Sequence, residues 1–367
     1  MKILVVGDWY LPIYEQALYD AFSNLGHNVD KFSWIEYFKY YQYPKLNKAD
    51  KNKLKSIYYR LQNRFTIGPS VNNLNHDLIN KNKKNKYDLI FIYRGTHIYK
   101  NTIKKLKKTG AIIFAYNNDD PFSQNYPKYF WRHFIKSIPE CDHVFSYREK
   151  NINEYVNAGA KSVSILMSYY IKNKNYFIAP THSHNKNASN PIKIVFIGHF
   201  ENDGRDDIIL RLAQSDYNFN LFGTEWDKSK HFNKLTAILG KIEPIYSTEY
   251  NELLNDVDIS LVFFSKMNND QYTRRVFELP ITKTLMISER TEKMMSLFNE
   301  GSEILFFNDV EEILEKIKLL DNNRVLMEKI KNNAYKRVTQ DGHEVQDRAI
   351  QIIETYNDII ENYANKS

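Results

Sequence analysis

Short apolar runs alternate with longer amphipathic segments along this chain, and the whole pattern occurs twice. The first series is KILVVG at 2–7, YDLIFIY at 87–93, AIIFAY at 111–116 and HVFS at 143–146. The second is IKIVFIG at 192–198, FNLFG at 219–223, ISLVF at 259–263, LMIS at 285–288 and ILFF at 304–307. Apolar strands joined by connections long enough for helices are typical of parallel sheets covered on both faces. The sequence therefore predicts an α/β protein with two Rossmann-like domains.

The two series are separated by a polar, asparagine-rich stretch. Residues 172–191 read KNKNYFIAPTHSHNKNASNP and show little periodicity, as linkers do. We predict an N-terminal domain at 1–170, a linker at 171–191 and a C-terminal domain at 192–345. We expect residues 346–367 to form a terminal helix that packs back on the first domain. Ligands of open α/β sheets bind at the carboxyl ends of the strands, so we expect the two sheets to face a cleft.

Cysteine content and hydropathy limit the cellular setting. Cys141 is the only cysteine among 367 residues, which excludes an intramolecular disulfide and favours a reducing compartment, the cytoplasm. The amino-terminal apolar run stops at Asp8 without a small-residue cleavage site, so it predicts a first strand rather than a signal peptide. No window approaches the roughly 20 apolar residues that a membrane-spanning helix needs.

Positive charge is concentrated in the first half of the chain. Residues 39–110 carry 18 lysines and arginines against three acids, a net charge of +15, and the rest of the chain carries −8. Aromatic residues lie in and beside this basic stretch, at Tyr37, Phe38, Tyr40, Tyr41, Tyr43, Tyr58, Tyr59 and Phe65. The mixture favours contact with an anionic membrane surface or an anionic acceptor. A solvated lysine-rich helix face is the plainer interpretation, and a track for nucleic-acid phosphates is a third. We expect no nucleic-acid partner.

The loop after IKIVFIG has the composition of a ligand-binding turn. Gly198 and His199 follow the predicted strand, and Arg205 opens the predicted helix that comes next. Glycine lets the backbone approach a ligand, and an arginine at a helix start can neutralise a phosphate. We therefore predict that this loop, together with Gly223 at the end of FNLFG, contacts an anionic ligand. Glycines are common after strands, so the signal is weak by itself.

Charged residues are concentrated in the segment NNDQYTRRVFELP at 268–280, directly after an apolar strand. If this segment is helical, Asp270 and Glu278 lie on one face, because eight residues make about two turns. A carboxylate there can accept hydrogen bonds from the two hydroxyls of a ribose, and Arg274 and Arg275 can bind a diphosphate. The alternative is a surface helix end in which Arg274 pairs with Glu278 at i to i+4.

Two further carboxylates follow the predicted strand AIIFAY. Asp119 and Asp120 lie at its carboxyl end, where a side chain can contact an acceptor hydroxyl or act as a general base. An Asx-type turn before Pro121 explains the same residues without chemistry.

These segments together resemble the CgeB-like, spore-maturation type of glycosyltransferase, relatives of the family 4 retaining enzymes of GT-B architecture. The resemblance rests on RVFELP at 275–280, on LMISE ending at Glu289, and on YNNDDPFS at 116–123. CDHVFSYREKNINEYVNAGAKSVSILMS and FGTEWDK also resemble elements of that family, so the likeness covers roughly residues 85–350. It implies a GT-B fold with two Rossmann-like domains. It also implies transfer of a sugar from a nucleotide-sugar donor to a cell-envelope polysaccharide, glycolipid or protein acceptor.

The resemblance also implies roles for particular residues. Glu278 takes the second position of the retaining enzymes' Glu-x7-Glu pattern, where the carboxylate binds the donor ribose, and Asp270 takes the first position, one methylene shorter. His343 and Arg348 resemble the family's late His and Arg, although a lone helical histidine is more often structural. We expect retention of configuration and no metal or other cofactor. The alternative is a catalytically silent carbohydrate-binding or nucleotide-binding protein; in either case we expect a cytoplasmic protein with peripheral contact at the inner face of the membrane.

Overall fold

The computed structural model describes residues 1–38, 53–179 and 191–365, and the chain divides into two compact units. The first unit contains Met1–Met167 and Val345–Ser367, and the second contains Ser168–Glu344. Each unit is built on one parallel sheet. The predicted α/β class with two Rossmann-like domains is confirmed. Lys39–Asn52, which includes Tyr40, Tyr41, Tyr43 and the start of the basic stretch, lies outside the described residues, as do residues 180–190.

The sheet of the first unit has the strand order β2-β1-β3-β4-β5-β6, and all its pairs are parallel. Every residue of β3, β4 and β5 is buried, because helices cover both faces of a parallel sheet. The strands are β1 (Lys2–Gly7), β2 (Asn28–Ser33), β3 (Leu89–Tyr93), β4 (Ile112–Asn117), β5 (His143–Ser146) and β6 (Val163–Ile165). The helices are α1 (Glu15–Asn24), α2 (Lys53–Phe65), α3 (Pro69–Asn85), α4 (Lys100–Lys107), α5 (Arg132–Ser137) and α6 (Lys150–Asn157).

The second unit repeats the scheme with the strand order β11-β10-β9-β7-β8, again parallel throughout. Its strands are β7 (Lys193–Ile197), β8 (Asn218–Phe222), β9 (Ile259–Val262), β10 (Leu285–Glu289) and β11 (Leu305–Phe307). Its helices are α7 (Arg205–Ala213), α8 (Phe232–Leu239), α9 (Ser247–Asp256), α10 (Arg275–Ile281), α11 (Glu292–Leu297), α12 (Val310–Asn322) and α13 (Arg324–Gln340).

The last helix, α14 (Val345–Ala364), belongs to the first unit, where it contacts α1. It is 20 residues long, and among the described helices none is long and apolar enough to cross a membrane.

The strand order reverses once in each sheet. Open α/β sheets bind their ligands at such reversal points. In the second unit the chain runs from β7 to β8 on one side and later returns to add β9 on the other side of β7. In the first unit β2 and β3 flank β1 in the same way. Loops at such a reversal diverge and leave a crevice at the carboxyl ends of the strands. Ligand-binding residues are therefore expected in the loops after β7 and β9, and in those after β1 and β3.

The segment that we expected to be a linker from residue 171 differs from that expectation in its first part. Asn251 of α9 accepts a hydrogen bond from the Tyr176 amide (3.1 Å) and donates one to its carbonyl (3.2 Å). Asn255 accepts from the Ile178 amide at 2.7 Å. Side chains of α9 therefore fix residues 176–178 to the second unit, which begins at Ser168.

Candidate functional site

The charged segment after β9 is only partly helical. Residues 266–269 form a turn, after which the Asp270 amide donates to the Ser265 carbonyl at 2.9 Å, and α10 begins at Arg275. Asp270 therefore lies in the loop, half-buried, and Glu278 lies in the helix. Our expectation that the two carboxylates share a helix face is wrong, because the chain between them turns before it becomes helical.

Glu278 is buried between two partners. Its Oε1 lies 2.7 Å from Arg274 Nη2, and its Oε2 accepts a hydrogen bond from the Tyr250 hydroxyl at 3.0 Å. The carboxylate is 2% exposed, and the ion pair is the i to i+4 contact that the alternative interpretation predicted. Burial, and then the charge of Glu278, raise the pKa of Tyr250 well above its usual range. Tyr250 is therefore a permanent donor that orients the Glu278 carboxylate.

Arg275 differs from its neighbour. It is half-buried at the start of α10, and no described residue forms an ion pair or hydrogen bond with its guanidinium. Its positive charge acts on the Tyr250 hydroxyl, together with that of Arg274, to oppose the raised pKa. An arginine cannot lose its charge at neutral pH. Arg275 is therefore a cation near the switch point whose charge is not neutralised within the described chain.

The loop after β7 is held against the end of β8 by a close backbone approach. Trp226 Nε1 donates to the Gly198 carbonyl at 2.9 Å, and a Cβ on Gly223 would lie 1.8 Å from that carbonyl oxygen. The φ of Gly223 is +155°, which other residues rarely adopt. Close packing thus explains why glycine occupies both positions, 198 and 223.

Glu201 connects the β7 loop to the β9 loop and also bonds to a side chain of its own loop. Glu201 accepts from the Lys266 amide at 3.0 Å and from His199 Nε2 at 3.0 Å. Although burial opposes ionisation, hydrogen bonds from His199 and Ser265 and the charge of Arg205 lower the pKa of Glu201 to about 2. His199 itself is exposed.

Arg205 also holds the β7 and β9 loops together, and it is 4% exposed. Its guanidinium pairs with both oxygens of Asp203, at 2.9 and 2.7 Å, and donates to the carbonyls of His199 and Phe264 at 3.1 Å each. Asp206 and Asp207 add two acids in the first turn of α7. We expected Arg205 to neutralise a ligand phosphate, but its donors are committed to the protein and its surroundings are acidic.

The two late residues of the predicted site lie in different units. His343 stacks on Phe277 of α10, with ring centroids 4.3 Å apart, and is 9% exposed. Arg348 belongs to α14, where its Nε donates to the Met167 carbonyl at 3.0 Å. The stacking gives His343 a packing function behind α10.

In the first unit, the two aspartates after β4 have distinct surroundings. Asp119 is half-buried and pairs with Arg94 at 2.8 Å. Asp120 is fully buried; its carboxylate accepts from the Phe122 amide (3.0 Å), from Asn151 (2.9 Å) and from Lys150 (3.1 Å). The Asx-type turn is thus present at Asp120, which fixes the start of α6. Asp119, near the carboxyl end of β4, is the one of the two that solvent reaches.

Sequence reasoning missed a buried carboxyl at the switch point of the first unit. Glu15 is 1% exposed; its Oε1 accepts from the Asp8 amide at 2.9 Å, and its Oε2 has no hydrogen-bond partner among the described residues. A Cβ on Gly7 would lie 2.1 Å from Glu15 Oε1, so only glycine fits there. Burial, and then the charge of Asp8, raise the pKa of Glu15 to about 8. The sequence signal was an acid in the first turn of the helix that follows the strand ending in Gly7-Asp8.

Backbone strain marks the same crevice. Trp9 in the loop after β1 has a φ of +61°, and Arg94 directly after β3 has a φ of +50°. Left-handed backbone is uncommon for residues with side chains and concentrates at functional sites. No cluster of three or more metal-binding side chains occurs among the described residues.

Comparison with known proteins agrees with this architecture. A family model described as glycosyl transferase-like matches residues 205–354, which include the segment from Asp270 to Glu278. No curated protein sequence matches the chain significantly.

Solved structures resemble the whole chain. Anabaena HepE, crystallised with UDP and glucose, aligns with a TM-score of 0.66 at 13% identity, over 98% of this chain and 100% of that one. Sucrose-phosphate synthase from Thermosynechococcus elongatus gives 0.71 at 12% identity, over 99% and 100%. A protein described as a UDP-N-acetylglucosamine 2-epimerase from Listeria monocytogenes gives 0.59 at 12% identity, over 100% and 97%.

The fold of the chain is thus that of GT-B proteins. The family match, taken with the fold, confirms the predicted enzyme class, which is a glycosyltransferase. The CgeB-like branch is not distinguished by these matches and stays a prediction from the motifs.

Proposed function

We propose that the chain transfers a sugar from a nucleotide-sugar donor that binds at the switch point of the second unit. One observation carries the proposal: the glycosyl transferase-like match encloses the ion pair of Arg274 with the buried Glu278, and an unneutralised Arg275, at the start of the helix that follows β9. HepE crystallises with UDP and with UDP-glucose, so a uridine nucleotide is the first donor to test.

Arg275 is proposed to bind the donor diphosphate. Breaking the bond between sugar and diphosphate leaves negative charge on the departing oxygen, so a fixed cation stabilises the transition state more than the bound donor. Arg275 offers a permanent charge that no described side chain neutralises. Because this guanidinium supplies the compensating charge, we propose that transfer needs no metal; activity that persists in excess EDTA is the corresponding result.

Glu278 is proposed to bind the donor ribose. A carboxylate has about four lone-pair sites, and Arg274 and Tyr250 each use one of them in this structure. The remaining lone-pair sites of the carboxylate can accept hydrogen bonds from the two ribose hydroxyls when the donor binds. Asp270, which lies in the loop before α10, is proposed to contact the transferred sugar. His199, Gly198 and Gly223 shape the neighbouring loop.

The first unit is proposed to bind the acceptor, a polysaccharide, glycolipid or protein of the cell envelope. Asp119 is the proposed contact to the acceptor hydroxyl, with Arg94 holding its carboxylate, and Asp120 positions the turn beneath it. Retention of configuration follows from the resemblance to retaining enzymes; nuclear magnetic resonance of the first product formed tests it. A single cysteine, buried at Cys141, is consistent with action in the cytoplasm.

The fold also occurs in a protein described as an epimerase, and a catalytically silent binding protein is the other alternative. A thermal-shift screen against UDP, GDP, dTDP and CMP sugars identifies the donor, because a ligand that binds the folded state raises the melting temperature. Product analysis of the stabilising donor then separates the candidates. A transferase releases the nucleotide and moves the sugar, an epimerase changes the sugar without release, and a binding protein does neither.

A further inference from the structure

Helix α2, which packs on α3, exposes most of its apolar residues. α3, which it contacts, buries Val71, Leu74 and Leu78, as a helix on a globular core does. α2 instead turns its aliphatic residues toward solvent. The outward residues are Leu54, Ile57, Tyr58, Leu61 and Phe65, with Ile67 just beyond the helix, at exposed fractions from 36% to 80%. Their spacing of 3, 4, 7 and 11 residues from the first places them on one face.

Polar contacts on the inner face fix this orientation. Gln62 is 6% exposed, and its Oε1 accepts from the Ser70 amide at 2.8 Å. Gly68 lies against the same side chain, where a Cβ would approach Gln62 Oε1 to 2.6 Å. His133 Nε2 contacts the Thr66 carbonyl at 2.9 Å, and Thr66 is fully buried. The apolar face is therefore held outward by specific contacts and is not the result of a loosely placed helix.

The apolar stripe has cations on both sides. At about 100° per residue, Arg60 and Arg64 lie along one border and Lys55 along the other. All three are exposed, and α2 contains no acidic residue. Arg64 Nε donates to the Tyr129 hydroxyl at 3.3 Å, and its guanidinium lies 5.8 Å from the Phe65 ring centroid. An apolar stripe bordered by arginine, lysine and tyrosine is the composition of helices that lie in a membrane interface.

We propose that α2 docks the protein on an anionic lipid bilayer, with the stripe of Leu54, Ile57, Tyr58, Leu61 and Phe65 in the headgroup region. A second copy of the chain fits less well, because two such helices would oppose their cations. A nucleic acid fits less well too, because Leu54, Ile57 and Leu61 offer no stacking face to a base. The bilayer satisfies both features, since apolar side chains leave water while the cations meet lipid phosphates. The proposal is independent of glycosyl transfer, because vesicle binding needs no donor.

The first test compares two triple variants in vesicle flotation, with phosphatidylglycerol-containing and pure phosphatidylcholine vesicles. The stripe variant carries Leu54→Ser, Ile57→Ser and Leu61→Ser. The control carries Val325→Ser, Leu319→Ser and Ile238→Ser in the second unit. Exposures match pairwise: 80 and 82%, 52 and 50%, 51 and 47%. We expect wild type and control to bind anionic vesicles, less so at high salt, and the stripe variant to lose more than about tenfold in partitioning.

A second test keeps the proposal decidable if the triple variant folds poorly. Cys141 is buried, and burial raises the pKa of its thiol to about 12, so the native protein resists labelling. An environment-sensitive fluorophore on Ile57→Cys should shift to shorter wavelength with anionic vesicles, and one on Val325→Cys should not. Absence of vesicle binding, equal binding by the stripe variant, or an unshifted probe at position 57 overturns the proposal. A wild-type dimer that the stripe substitutions convert to monomer assigns the face to a second copy instead.

Discussion

Replacing Glu15 by glutamine should remove a pH-dependent loss of stability in the first unit. In the folded protein, burial and the Asp8 charge raise the pKa of this carboxyl from 4.5 to about 8. The folded state therefore holds a proton over a pH range in which the unfolded chain has lost it. By linkage, stability is fully present below pH 4.5 and falls as the pH rises through 8.

The pKa shift sets the size of the effect. At 1.36 kcal/mol per pKa unit, the stability lost is about 3 kcal/mol by pH 7 and approaches about 5 kcal/mol above pH 8. Glu15→Gln keeps an acceptor for the Asp8 amide and cannot ionise. Its melting temperature should match wild type at pH 4.5 and exceed it at pH 8 by about 10 °C, given 2–4 °C per kcal/mol for roughly 200 residues.

Two controls make the measurement decisive. Asp8→Asn removes the second cause of the raised pKa and keeps an acceptor for the Tyr10 amide, so it should shrink the difference. Glu36→Gln removes an exposed carboxylate from the same unit. If Glu15→Gln and wild type differ equally at pH 4.5 and pH 8, Glu15 is not a buried proton-holding group and the reasoning is refuted.

The remaining predictions concern the second unit. Glu278→Gln should weaken donor binding by about 2 kcal/mol, roughly thirtyfold in Kd, because the ribose loses a charged acceptor; unchanged affinity in calorimetry would contradict that role. Arg275→Ala should lower kcat by about 100-fold or more and donor affinity by less, while Arg290→Ala, a surface control, changes neither; turnover within threefold of wild type would remove Arg275 from the mechanism. Gly223→Ala should cost at least about 3 kcal/mol in chemical unfolding, against about 1 kcal/mol for Gly204→Ala, which has left-handed backbone but open space. Equal costs at the two glycines would show that the approach to Gly198 is not what requires glycine.

The central strands were predictable from sequence because burial on both faces makes them continuous apolar runs. Every run in the two series coincides with a strand, within two residues. β2 and β6 were missed, and both lie at the edges of the first sheet. An edge strand is covered less completely, so NVDKFS and VSI carry polar residues that mask the pattern.

Residue roles were less predictable, because they depend on where loops turn. Spacing alone suggested that Asp270 and Glu278 share a face, but the turn at 266–269 delays the helix to Arg275. Arg205 looked like a phosphate ligand, yet the acid two residues before it, Asp203, takes its guanidinium. Glu15 resembled an ordinary helix-start acid, and only the packing against Gly7 shows that it is buried.

Whether the apolar face of a helix is buried or exposed also depends on tertiary contacts. The basic, aromatic stretch indicated a surface of unusual composition, and the spacing of its apolar residues fits a buried stripe as well as an exposed one. Contacts of Gln62 and Thr66 decide between these arrangements, and such contacts cannot be inferred from periodicity.

The measurement that tests the central claim most directly is product analysis of each nucleotide sugar incubated with wild type and with Arg275→Ala. We predict that one donor is consumed by the wild type with release of its nucleoside diphosphate and movement of the sugar to an acceptor or to water. Arg275→Ala should slow that release by about 100-fold or more. Conversion of a donor to its epimer without nucleotide release, or no conversion of any donor that raises the melting temperature, would contradict glycosyl transfer at this site.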